Sequence, residues 1–167
     1  TSKLKVHEMQ NSILTSIAIK TLYVSSPAFK QLEYIPSKYT CDGANEGPTL
    51  NITTLPKRTK CIAVIVDDPD GQIGTWVHWV AWNIPPNNTI VERKNGGIYG
   101  LNDFGMHSYC GPCPPKGVHH YHFKVYALDT MLNLPYNATK TTLEKAMSAH
   151  IIASGELIGL YKRKTEK

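Results

Sequence analysis

Cys61-Ile62-Ala63-Val64-Ile65-Val66 is apolar at every position and rich in β-branched side chains. Six residues are too few for a buried helix, and apolar character on both faces marks a central strand. Asp67-Asp68-Pro69-Asp70-Gly71 ends it sharply. Trp76 to Ile84 (WVHWVAWNI) repeats the pattern and is stopped by Pro85-Pro86-Asn87-Asn88. Outward from this pair, Ser16 to Val24 (SIAIKTLYV), His120 to Leu128 (HYHFKVYAL) and Glu156 to Tyr161 (ELIGLY) also read as strands. Phe29 to Leu55 is turn-rich, and Asn95 to His107 is a long glycine-containing loop. One helix is expected from Thr141, where Thr141 and Glu144 form a capping-box pattern and Leu143, Met147 and Ile151 recur at every fourth position. Strands that are not separated by regular helices exclude a parallel α/β sheet. The expectation is a mainly β protein: an antiparallel β-sandwich of two sheets with a peripheral C-terminal helix, occupying 16–167 as one domain behind an N-terminal extension at 1–15.

The chain has 167 residues, enough to bury a sizeable core, and 41% hydrophobic and 19% charged residues are ordinary for a globular domain. No apolar run approaches membrane-spanning length. Thr1 to Gln10 carries no stretch of signal-peptide type, from which a cytoplasmic location is expected, although the chain does not begin with Met and a processed N-terminus stays open. The net charge of +5 suits an anionic partner, but its only clusters are Pro56-Lys57-Arg58-Thr59-Lys60 and Lys162-Arg163-Lys164. No basic stripe interleaved with aromatics appears, so no nucleic-acid partner is expected. Asn51-Ile52-Thr53, Asn87-Asn88-Thr89 and Asn137-Ala138-Thr139 match the glycosylation triplet, which matters only in a secreted chain.

Polar residues on core faces carry the functional signal. Along His119 to Ala127, alternation puts His119, Tyr121, Phe123, Val125 and Ala127 on one face, and His120, His122, Lys124 and Tyr126 on the other. The same alternation puts His78 in line with Trp76, Val80, Trp82 and Ile84. A buried polar group needs a hydrogen-bond partner. One reading is a structural network in which His78 and His119 pair with Asp68 or Asp70. The other is a cleft at the strand ends, where His78 and His119 are the main donors to an anion, assisted by Tyr121 and loop amides. His120 and His122 face away from His119, which disfavours a shared metal site, so no metal is expected.

Cys110-Gly111-Pro112-Cys113 spells a dithiol redox motif. Such a centre needs a following helix N-terminus to lower its thiol pKa, and Pro114-Pro115-Lys116-Gly117 forbids one. The stretch reads instead as a rigid loop leading into His119. A hydrolase pairing Cys113 with His119 would lack any recognisable oxyanion hole. The four cysteines, Cys41, Cys61, Cys110 and Cys113, allow two disulfides or four free thiols.

Asp68-Pro69-Asp70, Trp76-Val77-His78-Trp79 and Gly111-Pro112-Cys113-Pro114-Pro115-x-Gly117-x-His119-x-Tyr121, in that order and spacing, resemble the phosphatidylethanolamine-binding protein or Raf kinase inhibitor-like family, in its bacterial and archaeal branch. Ser26-Pro27-Ala28-Phe29, Ile35-Pro36-x-Lys38-Tyr39-Thr40-Cys41-Asp42-Gly43, Tyr126-Ala127-Leu128-Asp129 and Gly155-Glu156-Leu157-Ile158-Gly159-x-Tyr161 extend the likeness over roughly Tyr23 to Arg163. The resemblance implies a β-sandwich with a pocket for phosphate, phosphorylated head groups or carboxylates. It implies that Asp68, Asp70, His78, Gly111, Pro112, Cys113, Pro115, His119 and Tyr121 form that pocket, without a cofactor. It also places Cys41 and Cys113 in motifs of this branch, leaving Cys61 and Cys110 particular to this chain. Some relatives inhibit kinases or serine proteases, and many in this branch are dimers. The chain departs from the family at His120, where Arg is usual, at Gly71-Gln72 in place of Ala-Pro, and at Gly47-Pro48-Thr49-Leu50-Asn51-Ile52 in place of Ser-Pro-x-Leu-x-Trp.

The resulting expectation is a non-catalytic, regulatory anion-pocket protein with a small anionic ligand and the option of a homodimer. The alternatives are a serine-protease inhibitor that presents a rigid loop (Gly111 to Pro115 or Asn95 to His107) to chymotrypsin-like enzymes, and a thiol-dependent hydrolase or redox enzyme.

Overall fold

The structure, a computed structural model, describes residues 19–164. The expected extension at 1–15 and the start of the expected strand Ser16–Val24 lie outside the described residues. In chain order the elements are β1 (Lys20–Thr21), β2 (Tyr23–Ser25), β3 (Leu50–Thr53), β4 (Cys61–Asp68), β5 (Trp76–Ile84), β6 (Thr89–Ile90), β7 (Ile98–Tyr99), β8 (His119–Leu128), α1 (Lys140–Met147) and β9 (Ile151–Tyr161). They form a six-stranded sheet, β1-β9-β8-β4-β5-β7, and a three-stranded sheet, β2-β3-β6. Every pairing is antiparallel except that of β1 with β9.

β4 is apolar throughout because it serves two cores. Ile62, Val64 and Val66 face the small sheet and meet Val24, Leu50, Ile52 and Ile90. Cys61, Ala63 and Ile65 face the other way and meet Leu143 and Met147 of α1. A mainly β sandwich with one peripheral helix is thus what the chain forms.

Local details differ from the sequence reading. The first expected strand is two short strands in different sheets, with Leu22 between them donating its N–H to the Ser154 carbonyl at 2.8 Å. Ile98–Tyr99 inside the long loop pairs with Ala81 and Trp82, adding an edge strand. The helix begins at Lys140 after Thr139, whose extended backbone makes it the N-cap, so Thr141 lies inside the first turn and caps nothing. Ile151 is not helical: it opens β9, which runs 11 residues because β8 supplies a ladder of matching length.

Simple alternation fails in β5. Ladder partners run Val66 with Trp79 and then Asp67 with Val77, leaving His78 as an extra residue. A second shift, between Ile62–Ile84 and Val64–Ala81, falls where Asn83 takes a φ of +53° and its side chain bonds both ways to the Leu132 backbone at 2.8 Å. Consequently Val80 and Trp82 belong to the helix-side core and Ile84 to the inter-sheet core. His78 is therefore not in line with Val80 and Trp82, as expected from a period of two. The bulge aims it, next to Trp76, into a cavity at the strand ends.

Candidate functional site

Three central strands build the floor of that cavity. β4 ends in Asp68, β5 contributes Trp76 and His78, and β8 begins with His119 and Tyr121. The walls are the Gly71 to Gly74 turn, the Cys113 to Pro115 segment and the Phe104 ring. The enclosed volume is about 410 Å³.

Asp68 is buried, and its Oδ2 pairs with His119 Nδ1 at 2.7 Å while its Oδ1 accepts from the Asp70 N–H at 2.8 Å. The second nitrogen of His119, Nε2, lies 3.1 Å from the Lys116 carbonyl oxygen. Both nitrogens of this ring therefore face acceptors. His78 Nδ1 donates to the Cys110 carbonyl at 2.6 Å, since a carbonyl can only accept, and burial pushes the His78 pKa down. The neutral ring then carries a bare Nε2. These bonds differ from the expectation that the two imidazoles are the main donors, because their N–H groups are already used on protein oxygens.

Tyr121 is 0% exposed, and its hydroxyl has no hydrogen-bond partner among the described residues. The Cys113 amide lies near enough to bias it electrostatically but makes no bond of ordinary geometry. Burial first, then the negative charge of Asp68, drives the Tyr121 pKa upward, so the hydroxyl keeps its proton. The ring packs edge-on to His78, with centroids 5.3 Å apart.

Of the residues expected in the pocket, Asp68, His78, Cys113, Pro115, His119 and Tyr121 come together around this cavity. Asp70, Gly111 and Pro112 do not line it. Asp70 turns to the opposite face of β8, where its Oδ2 accepts from both the backbone N–H and Nδ1 of His120 at 2.8 and 2.7 Å. Burial, the largest single influence, raises the Asp70 carboxyl pKa, and the His120 bonds together outweigh it and lower the pKa from the usual carboxylate value. Thus His120, where the resemblance implies Arg, holds Asp70 at the rim. Gly111 faces the Tyr39 to Asn45 segment: a Cβ there would collide with the Tyr39 carbonyl, and its N–H bonds Asn45 Oδ1 at 2.7 Å. Pro112 uses its carbonyl to accept from the Cys41 N–H at 3.1 Å.

Cys113 is joined to Cys41 across 72 residues of sequence, while Cys61 and Cys110 are free. The cysteine count left the thiol state open, and the molecule has one disulfide and two thiols. The two cysteines of the redox-like motif are not paired with each other. Trp76, Phe104 and Ile73-Gly74 were missed as lining residues. Trp76 and Phe104 meet edge-on, with centroids 5.6 Å apart. Only Trp76, two residues before His78, carried a sequence signal. Among the described residues no three His, Cys, Asp or Glu side chains are grouped to hold a metal ion, and no helix is long and apolar enough to cross a membrane.

Comparison with known proteins agrees with this architecture. A UPF0098 protein of Pyrococcus abyssi is 53% identical over 150 residues, spanning 83% of this chain and 84% of its own. The crystal structure of a phosphatidylethanolamine-binding protein homologue from Chlamydia trachomatis superposes with a TM-score of 0.82 at 37% identity, covering 87% of this chain and 99% of its own. Escherichia coli YbcL, described as a member of the mammalian PEBP family, superposes with a TM-score of 0.79 at 33% identity, covering 86% and 99%. The sequence model of the phosphatidylethanolamine-binding protein family matches residues 25–162. With the sandwich, the strand-end cavity and these likenesses in agreement, the chain belongs to the phosphatidylethanolamine-binding protein family.

Proposed function

We propose that this protein is a non-catalytic receptor for a small oxyanion (phosphate, a phosphorylated head group or a carboxylate) bound in the Asp68–His78–His119–Tyr121 cavity, with a regulatory role. The observation that carries the reading is the Tyr121 hydroxyl, fully buried, without a partner and beside an open cavity. Leaving a buried hydroxyl unpaired costs on the order of 1–3 kcal/mol, and an acceptor oxygen from a ligand removes that cost. A thiol nucleophile is disfavoured because Cys113 is held by Cys41. Calorimetric titration with phosphate and phosphoethanolamine at pH 6 and pH 8 tests the reading. Saturable binding that disappears in Tyr121→Phe supports it, and absence of binding at both pH values sinks it.

A second reading, protease inhibition, is favoured by the segment from Asn102 to Ser108. The buried Asn102 side chain braces it from within: Nδ2 donates to the His78 and Ser108 carbonyls at 3.1 and 2.9 Å, and Oδ1 accepts from the Phe104 and Met106 amides at 3.0 and 2.9 Å. This rigid arch exposes Phe104 and Met106, the latter by 52%. An apolar side chain on a pre-organised loop suits a chymotrypsin-like specificity pocket, since little ordering cost is left on binding. Inhibition of chymotrypsin weakened about tenfold or more by Met106→Ala supports this reading. Inhibition indifferent to Phe104→Ala and Met106→Ala together rejects the loop.

A further inference from the structure

The cavity floor combines a carboxylate with two imidazoles. Among the described residues no Lys or Arg side chain lines it. The ionisable groups that face it are Asp68 from β4, His78 from β5, and His119 and Tyr121 from β8; the Gly71 to Gly74 turn and the Cys113 to Pro115 wall bring none. Each Asp68 oxygen takes one hydrogen bond and keeps a free lone pair. His78 presents a bare Nε2, because its proton sits on Nδ1 facing the Cys110 carbonyl. Both His119 ring nitrogens are already turned to protein oxygens, Asp68 Oδ2 and the Lys116 carbonyl. The Tyr121 hydroxyl is a side-chain donor left for a ligand, and Trp76 and Gln72 bring further N–H groups to the lining.

The charge balance points the same way. Asp68 and His119 together carry no net positive charge in any protonation state in which Asp68 is ionised. A fully deprotonated, doubly charged phosphoryl group would enter a buried floor with no lysine or arginine to meet it and with the Asp68 carboxylate against it, which is strongly unfavourable. A group that brings its own O–H reverses the balance: it donates to Asp68 or to His78 Nε2 and accepts from Tyr121.

Resting on the anion-pocket reading, we infer that the site selects its ligand in a protonated form, a phosphomonoester monoanion or a carboxylic acid, with Asp68 and His78 Nε2 as acceptors of the ligand proton. Specificity then comes from a hydrogen bond that only a protonated ligand can make. Sulfate, which matches phosphate in shape but holds no proton near neutral pH, is excluded. Burial of His78, which disfavours a second proton on that ring, keeps the acceptor available as the pH falls.

The test is affinity against pH between pH 5 and pH 9 for phosphoethanolamine, inorganic phosphate and sulfate. The second proton of a phosphomonoester leaves at about pH 6, and that of inorganic phosphate leaves at higher pH. Affinity is expected to fall about tenfold per pH unit above the second pKa of each ligand, so the two midpoints separate by the difference between the ligands. Sulfate is expected to bind at least tenfold more weakly than phosphate at pH 6, and Asp68→Asn, which removes the carboxylate, to narrow that gap. A midpoint common to both phosphoryl ligands, or sulfate binding as tightly as phosphate, overturns the inference and leaves the pocket standing. No binding by any of the three at any pH overturns the pocket and the inference together.

Discussion

Asp67 and Asp68 are neighbours on one strand and have opposite surroundings. Asp67 points to the helix side, is 2% exposed, and accepts from Lys124 Nζ at 2.9 Å and Lys140 Nζ at 2.7 Å. Asp68 points to the strand-end cavity and is matched only by a histidine and one backbone amide. Both lysines bond the same oxygen of the first carboxylate, Oδ2, so two cations compensate it and it locks α1 and β8 onto β4. The second keeps lone pairs free beside an unpartnered hydroxyl. A buried carboxylate reads as structural when lysines on neighbouring elements compensate its charge, and as part of a site when no cation of that kind does and a cavity adjoins it.

The contrast extends to how the two regions are held. The helix side is secured by a packed apolar core. The cavity wall is irregular chain, tied at Cys113 to Cys41. Replacing both cysteines with serine is expected to cost about 4 kcal/mol, from the loop entropy released to the unfolded chain across the 72 residues. Urea unfolding of the oxidised parent and the double variant checks this. A loss near zero means that the wall is held without the bridge.

Next in size, Asp67→Asn is expected to cost about 2 kcal/mol by leaving Lys124 and Lys140 without their counter-ion, and to leave phosphate binding unchanged. Burial raises the Asp67 pKa, and the bonds to Lys140 and Lys124 outweigh this and set it below the ordinary carboxylate value. Its contribution is therefore fully present above the unfolded value of about 3.9, and is lost as the pH falls below that. The Asn variant should show a shallower loss of stability between pH 5 and pH 2 than the parent. Parallel acid limbs would contradict the ion triad.

The smallest effect on stability belongs to the cavity side. Tyr121→Phe is expected to leave stability unchanged or raise it by up to about 1 kcal/mol, because an unpaired buried hydroxyl is removed, while abolishing anion binding. A clear loss of stability would show that the hydroxyl is paired within the protein. Together, Asp67→Asn and Tyr121→Phe should separate stability from binding in opposite directions.

Much of this was legible in the chain itself. Continuous apolar runs identified β4 and β5 because strands between two cores need apolar residues on both faces. Alternation along β8 put His119 and Tyr121 on the core face, where they lie. Proline after the Cys110 to Cys113 motif ruled out a redox helix. Family-like spacing alone brings Asp68, His78, His119 and Tyr121 into one group. What the sequence could not state is what depends on contacts between distant segments. A bulge opposite Val66, set by how β4 and β5 pair, turned His78 into the cavity against the period-two rule. The pairing of Cys41 with Cys113, the withdrawal of Asp70 to His120 and the use of Gly111 against Tyr39 are each set by segments 50 residues or more away. The direction of the hydrogen bonds was likewise decided in three dimensions, where the Cys110 and Lys116 carbonyls occupy the imidazoles and leave the Tyr121 hydroxyl alone. Residue type and local period determine which groups are buried; only the folded arrangement decides which of them remain unpaired, because a hydrogen bond is a property of two positions and a sequence specifies them one at a time.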